Sequence, residues 1–205
     1  VGTLDYRPSS SDGLQIGILD TVPNTSFSNG TISEIGDQLG DVYRLLIQFS
    51  RLTIDIPKSA TIDDATIYLT ITTSGTTTAR DLRVFRLKLG WILGEGCWNS
   101  RATGVPWNTA GAFGAADCEQ SDIGAVGVPA TVTAGDIISI GLTPSEIEEI
   151  TSGIWTDNGF LIKFDTESGD LRLFGGCSNA TVGNRPRLVV NFTYNGRTFQ
   201  STFFG

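Results

Sequence analysis

The sequence predicts an all-β fold: a two-sheet antiparallel β-sandwich of the jelly-roll kind with one short helix. Three observations predict it. Apolar and polar residues alternate through many short runs; glycines, 25 in the chain, and clusters of Asn, Ser and Thr separate those runs; and only one stretch carries helix signals. With 205 residues, one large domain would bury about 70% of its unfolded surface, so the fold needs no covalent staple. No internal repeat and no second domain are visible.

Taken in order, residues 1–13, VGTLDYRPSSSDG, are polar with Pro and Gly and read as an N-terminal arm. In LQIGILD, Leu14, Ile16 and Ile18 alternate with Gln15 and Gly17, a strand signal. RLLIQFSRL puts Leu45, Ile47 and Phe49 on one face, and after a turn at residues 57–59, Ile67, Leu69 and Ile71 repeat the pattern. DLRVFRLKLGW, 81–91, is another strand whose period slips at Phe85 and Arg86, which predicts a bulge or a change of sheet.

The helix is predicted over LTPSEIEEITSGIW, with Thr143 as N-cap, Pro144 at the first position, Glu146 in the capping box and Gly153 as the stop. Strands follow in GFLIKFD, LRLFGG and RPRLVVNFTY, completing a domain over 14–194. Asn195 and Gly196 then predict a hairpin turn into RTFQSTFF, which adds a strand over 195–205. Phe199 and Phe203 fall on one face of that strand and Phe204 on the other. An apolar edge of this kind suits assembly with a neighbouring subunit, or equally a last strand of the domain's own sheet.

Charge narrows the function. A formal charge of -8 and a pI near 4.4 argue against nucleic acid, whose phosphates are bound by Lys and Arg. No run approaches the length of a membrane-spanning helix, so no membrane insertion is expected. The chain begins at Val1 and contains no methionine, which predicts a start made by Met removal or leader cleavage.

Cys97 and Cys118 bracket a small-residue segment, and a disulfide between them would close a loop of about 20 residues, worth about 3 kcal/mol. Pairings of either with Cys177, or three buried thiols, are the alternatives.

Four segments together resemble the DNRLRE-type β-sandwich domains of secreted and phage structural proteins. RLLIQFSRLTIDIPKSATIDDATIYLTI resembles that family's strand, Ile-Pro turn and following strand, and VFRLKLGWILGEGCWN its strand ending in a Trp-Asn pair. LTPSEIEEITSGIWTDNGFLIKFD resembles its short helix and next strand, and RPRLVVNFTY its terminal strand. The resemblance implies a jelly roll, located outside the cell or on a virion, acting as a surface or decoration protein or as a carbohydrate-binding module. It supplies no fixed set of binding residues.

The chain has no histidine, which removes His-based triads and most zinc sites. Glu95, Asp117, Glu119 and Asp165 are the loop acids from which a glycosidase pair would have to come, and solvated or capping acids explain them more simply. The loops 117–122 and 165–170 offer oxygen ligands for a structural calcium, though neither has EF-hand spacing, and no other cofactor is implied. Of the four tryptophans, Trp91, Trp98 and Trp155 sit at strand or helix ends and read as core plugs. Trp107, preceded by proline and followed by Asn108, reads as the exposed ring for stacking on a sugar.

The expectation is a non-enzymatic structural subunit of an extracellular or virion-surface assembly, its partners being copies of itself or other surface proteins. A carbohydrate-binding module working through Trp107 and Asn108 is the alternative, and a polysaccharide-cleaving enzyme a remote third.

Overall fold

A computed structural model describes residues 1–9 and 11–194; the predicted strand over 195–205, with Phe199, Phe203 and Phe204, lies outside the described residues. The fold is an antiparallel two-sheet β-sandwich, as predicted, and carries short helices in addition to the one expected. One sheet runs Gly2–Tyr6, Arg187–Thr193, Thr61–Thr70, Ile137–Leu142. The other runs Gly124–Val128, Arg80–Arg86, Phe160–Phe164, Asp41–Gln48, Leu14–Leu19, Phe27–Ser28. Every pairing in both is antiparallel.

Alternation builds the space between the sheets. Ile67 and Leu69 from one sheet meet Leu45, Ile47 and Phe160 from the other, all fully buried. Each such side chain is worth about 1.5–3 kcal/mol relative to exposure. The segment read as a free arm belongs to this core. Residues 2–6 pair in register with 188–192, Leu4 and Tyr6 turn inward, and Asp5 forms a bidentate ion pair with Arg187. The alternation of Leu4 and Tyr6 with Thr3 and Asp5 was present in the sequence, obscured by the Pro and Ser that follow.

The helix forms over Pro144–Ser152, buries Ile147 and Ile150, and stops at Gly153 in the left-handed region, whose N–H donates to Ile150 O. The capping box is not made. Thr143 Oγ1 donates to Ile123 O, tying the helix to the chain before the Gly124–Val128 strand, and Glu146 reaches Arg86 instead. A second, one-turn helix, Leu52–Asp55, buries Leu52.

The bulge expected near Phe85 is absent, since Arg80–Arg86 pairs with Phe160–Phe164 and Gly124–Val128 without a register shift. The apolar period slips there for a different reason: Leu82 and Val84 face the inter-sheet core, whereas Phe85 and Leu87 face a second cluster on the sheet's outer side. A strand covered on both faces has no polar side to alternate with.

One strand leaves the second sheet. Ile32–Gln38 pairs with Asp41–Gln48 only over residues 36–38, and with Leu171–Gly175 over 32–36. Gly36 makes this departure possible, because its φ is +124° and a Cβ there would collide with the Asp170 carbonyl. Phe174 then bridges to Ile71, tying the departing pair to the first sheet.

Candidate functional site

Between the Arg80–Arg86 and Gly124–Val128 strands the chain makes its longest excursion, residues 88–123. It lies over the outer face of the second sheet. Trp107, Ala112 and Cys118 from the excursion pack on Ile16, Ile18, Leu46, Phe85 and Leu161 from the sheet, with Trp91, Trp98 and Phe113 partly buried around them.

Trp107 is therefore a knob and not an exposed platform. It is 4% exposed, and its Nε1 donates to Cys97 O at 3.0 Å. Asn108 is exposed but serves the same loop: its backbone N–H and Nδ2 donate to Asp117 Oδ1 at 2.7 and 3.1 Å, and Thr109 N donates to Asp117 Oδ2 at 2.8 Å. Asp117 is wholly buried, so its carboxylate is the polar centre on which this part of the loop is wound. Small residues around Trp107 misdirected the expectation; they let the chain close tightly over the ring.

Cys97 and Cys118 form no disulfide, and all three cysteines are buried free thiols. Burial, helped by the adjacent Asp117 charge, pushes Cys118 up to about 11, and burial pushes Cys177 up to about 12. These thiols act as small apolar groups and are poor nucleophiles.

A charged clasp fixes the cover at its other side. The Arg44 guanidinium makes a two-pronged bond to Glu167 at 2.7 and 2.8 Å, donates to Gly111 O at 2.6 Å, and lies 4.6 Å from the centre of the Trp98 ring. Gly111 is required for that approach, since its φ is +82° and a Cβ would collide with the guanidinium and come within 2.8 Å of the Trp98 ring. Lys163, also buried, sits 3.4 Å from Glu167 and 4.9 Å from the Phe113 ring centre; burial lowers its pKa and Glu167 opposes that shift.

The acids proposed for chemistry are distributed through the fold's own bonds. Glu95 accepts from Thr103 N, and Asp165 from Asp81 N. Glu119 joins Glu146 and Glu149 around the buried Arg86, which stacks 4.1 Å from the Trp155 ring centre. In the two loops read for calcium, Asp122 pairs with Arg83 and Asp170 with Arg80, each at 2.6 Å. Among the described residues no group of three His, Cys, Asp or Glu side chains is placed to hold a metal ion.

A concave feature lies away from Trp107 and Asn108. A cleft of about 540 Å³ opens between the Phe27–Ser28 edge strand and the departing strand at Ile32–Glu34. Gly17, Leu19 and Tyr43 form its floor, left uncovered because Gly36 bends the neighbouring strand away. Phe27 and Ile32 stand at its walls, each 45% exposed. Glu34 has no ion pair among the described residues, and partial burial raises its pKa. Tyr43 is raised too, by burial and then by the charges of Glu34, Asp41 and Asp20. The signal was available: Phe27 is the lone aromatic in NTSFSNGTIS, the same pattern that drew attention to Trp107.

Comparison with models of known protein families finds no match to this chain, and comparison with curated proteins finds none either. The likeness to DNRLRE-type domains rests on the quoted segments.

Proposed function

We propose that the protein is a non-enzymatic structural subunit of an extracellular or virion-surface assembly, built from copies of itself or with other surface proteins. The observation that carries this reading is the use made of the longest excursion. Its Trp107 and Cys118 are buried in a second core, and its Cys97 and Asp117 are buried as well, so the segment with the most chemical potential is spent on holding a doubly covered sheet. The acidic surface suits solubility, and the likeness to phage and surface β-sandwiches points the same way. A carbohydrate module that relies on Trp107 loses its ring, since a covered indole cannot stack on a sugar.

Native protein imaged by electron microscopy, with mass measured by light scattering, tests the proposal. A ring, filament or shell is expected. A monomer at the highest soluble concentration, with no particle carrying it, would sink the reading.

A further inference from the structure

The two main sheets have four ends, and three of them are closed or short. Ile137–Leu142 lies against Gly124–Val128, which ends the other sheet: a Cβ at Gly124 would strike the Gly141 carbonyl, and Thr143 N donates to Ile123 O at 2.7 Å. Phe27–Ser28 has only two residues. Gly2–Tyr6 is different. It has five residues, pairs with Arg187–Thr193 along one edge, and among the described residues has no strand on the other.

This edge also lacks the devices that keep sheet ends from pairing. It contains no Lys and no Pro, and its register with residues 188–192 runs without a bulge. No charge points inward either: Leu4 and Tyr6 enter the core, and Gly2 leaves room for the Phe192 ring, while Thr3 and Asp5 are exposed on the outer face. An open edge of this kind takes a further strand.

The sequence of the strand says which one. In an antiparallel pair opposite residues share a face. When the strand is laid against itself about Leu4, Leu4 meets Leu4 and Gly2 meets Tyr6 on the inner face, small against large. On the outer face Thr3 meets Asp5 twice, a hydroxyl donor beside a carboxylate. Centring on Asp5 instead sets like charges opposite each other, and centring on Thr3 sets Leu4 over Gly2. The strand is thus complementary to itself in one register.

We propose that Gly2–Tyr6 pairs with the same strand of a second copy, antiparallel and centred on Leu4, joining two four-stranded sheets into one of eight. This pairing rests on the assembly reading above and supplies one of its contacts. It is isologous, so it closes as a two-fold dimer.

Two sets of variants in the full-length chain test it, with mass read by light scattering over a dilution series and folding checked by thermal melting. Thr3→Glu and Thr3→Lys both lose the bond from Thr3 Oγ1 to Asn191, so a purely structural role for Thr3 moves them in the same direction. Pairing moves them apart. Thr3→Glu faces Asp5 of the second copy and weakens association about fivefold, whereas Thr3→Lys strengthens it by a similar factor. Thr3→Cys mixed with Asp5→Cys under mild oxidation then gives a crosslinked dimer, because Cα atoms directly opposite in such a pair stand within disulfide range. The native cysteines are buried and stay out of this reaction. If the wild type assembles but no crosslink forms and both Thr3 variants associate alike, this edge is not the route and the structural reading survives. A crosslink in Thr3→Cys alone, absent from the mixture, overturns the register centred on Leu4. A monomeric wild type removes the assembly reading and this inference together.

Discussion

The inner face of the Phe160–Phe164 strand meets the opposite sheet, whereas its outer face meets the excursion 88–123. Phe160 and Ile162 point inward and Leu161 outward, and all three are fully buried. What differs is how the covering layer is held. Opposite the inner face lies a ladder of paired strands, each fixed along its length by backbone hydrogen bonds. Opposite the outer face lies a loop with one short hairpin, Ser100–Ala102 with Val105–Pro106, wound on its own bonds, Asp117 to Asn108 and Thr109 and Trp107 to Cys97, and tied to the rest of the fold at separate points, among them Arg44 to Gly111 O, Asn99 N to Pro23 O and Glu119 N to Arg86 O. Equal burial therefore need not mean equal cooperativity, because a loop tied at a few points can open while the sheets stay paired.

Breaking each face in turn exposes the difference. Phe160→Ala leaves a cavity between the sheets and is expected to cost about 3–5 kcal/mol. The loss should be global, with faster amide exchange in strands of both sheets. Trp107→Ala removes a comparable volume from the outer cluster, at about 3 kcal/mol. Here exchange should rise mainly within 88–123, and tryptophan emission should shift as Trp98 and Trp91 become wetter. Equal loss of protection across both sheets in Trp107→Ala would show that cover and sandwich are one cooperative unit.

The inner face was legible in the sequence and the outer face was not, for a reason visible in particular residues. Leu45, Ile47 and Phe49, or Ile67, Leu69 and Ile71, announce the inter-sheet core by period alone. The outer cluster draws Ile16 and Ile18 from one strand, Leu46 from a second and Phe85 from a third. Ile16 and Ile18 look like an ordinary apolar face, and Leu46 and Phe85 like slips in an alternation, so the slip at Phe85 read as a bulge when it marked a second buried face. Gln15 reverses expectation in the same strand: it is buried, bonded through its amide to Ser33 Oγ and Cys177 N, while its apolar neighbours face the cover. Phe27 stood out in the sequence, but the shape of the cleft was illegible because it depends on one bend at Gly36, which exposes a floor built by residues distant in sequence. Trp107 and Phe27 share a local context, and only the presence or absence of a covering layer separates them.

The ties of the cover sharpen the comparison at lower cost. Asp117→Ala leaves the N–H groups of Asn108 and Thr109 without their acceptor in a closed loop, for which about 2 kcal/mol is expected. Most of it should appear as local opening. An exchange pattern like that of Trp107→Ala, with an unchanged pattern in Thr61–Thr70, is the outcome that fits. Spread of the effect into the first sheet would contradict the idea that polar ties hold only the cover.

The smallest effect is expected at the seam between the two cores. Residues 155–159 form it: Trp155 packs on the inner cluster, while Asn158 O accepts from Nε1 of Trp91, which packs on the outer one. Asp157 lies between them. Its Oδ1 accepts from Gly159 N at 3.2 Å, and its Oδ2 is buried with no hydrogen-bond partner among the described residues. Burial raises its pKa, and the Gly159 N–H offsets that only in part. A carboxyl raised in the folded state binds its proton more tightly there than in the unfolded chain. Its contribution to stability is thus complete below the ordinary Asp value and is lost as pH rises through the raised one. Asp157→Asn removes that dependence, so the variant should gain on the wild type between acidic and neutral pH. Urea unfolding of both proteins at the two ends of that range measures the gain, on the order of 1 kcal/mol or about 2–4 °C in melting temperature for a chain of this size. A difference that stays constant with pH, or shrinks toward neutrality, would mean that water reaches Asp157 and that the seam is open.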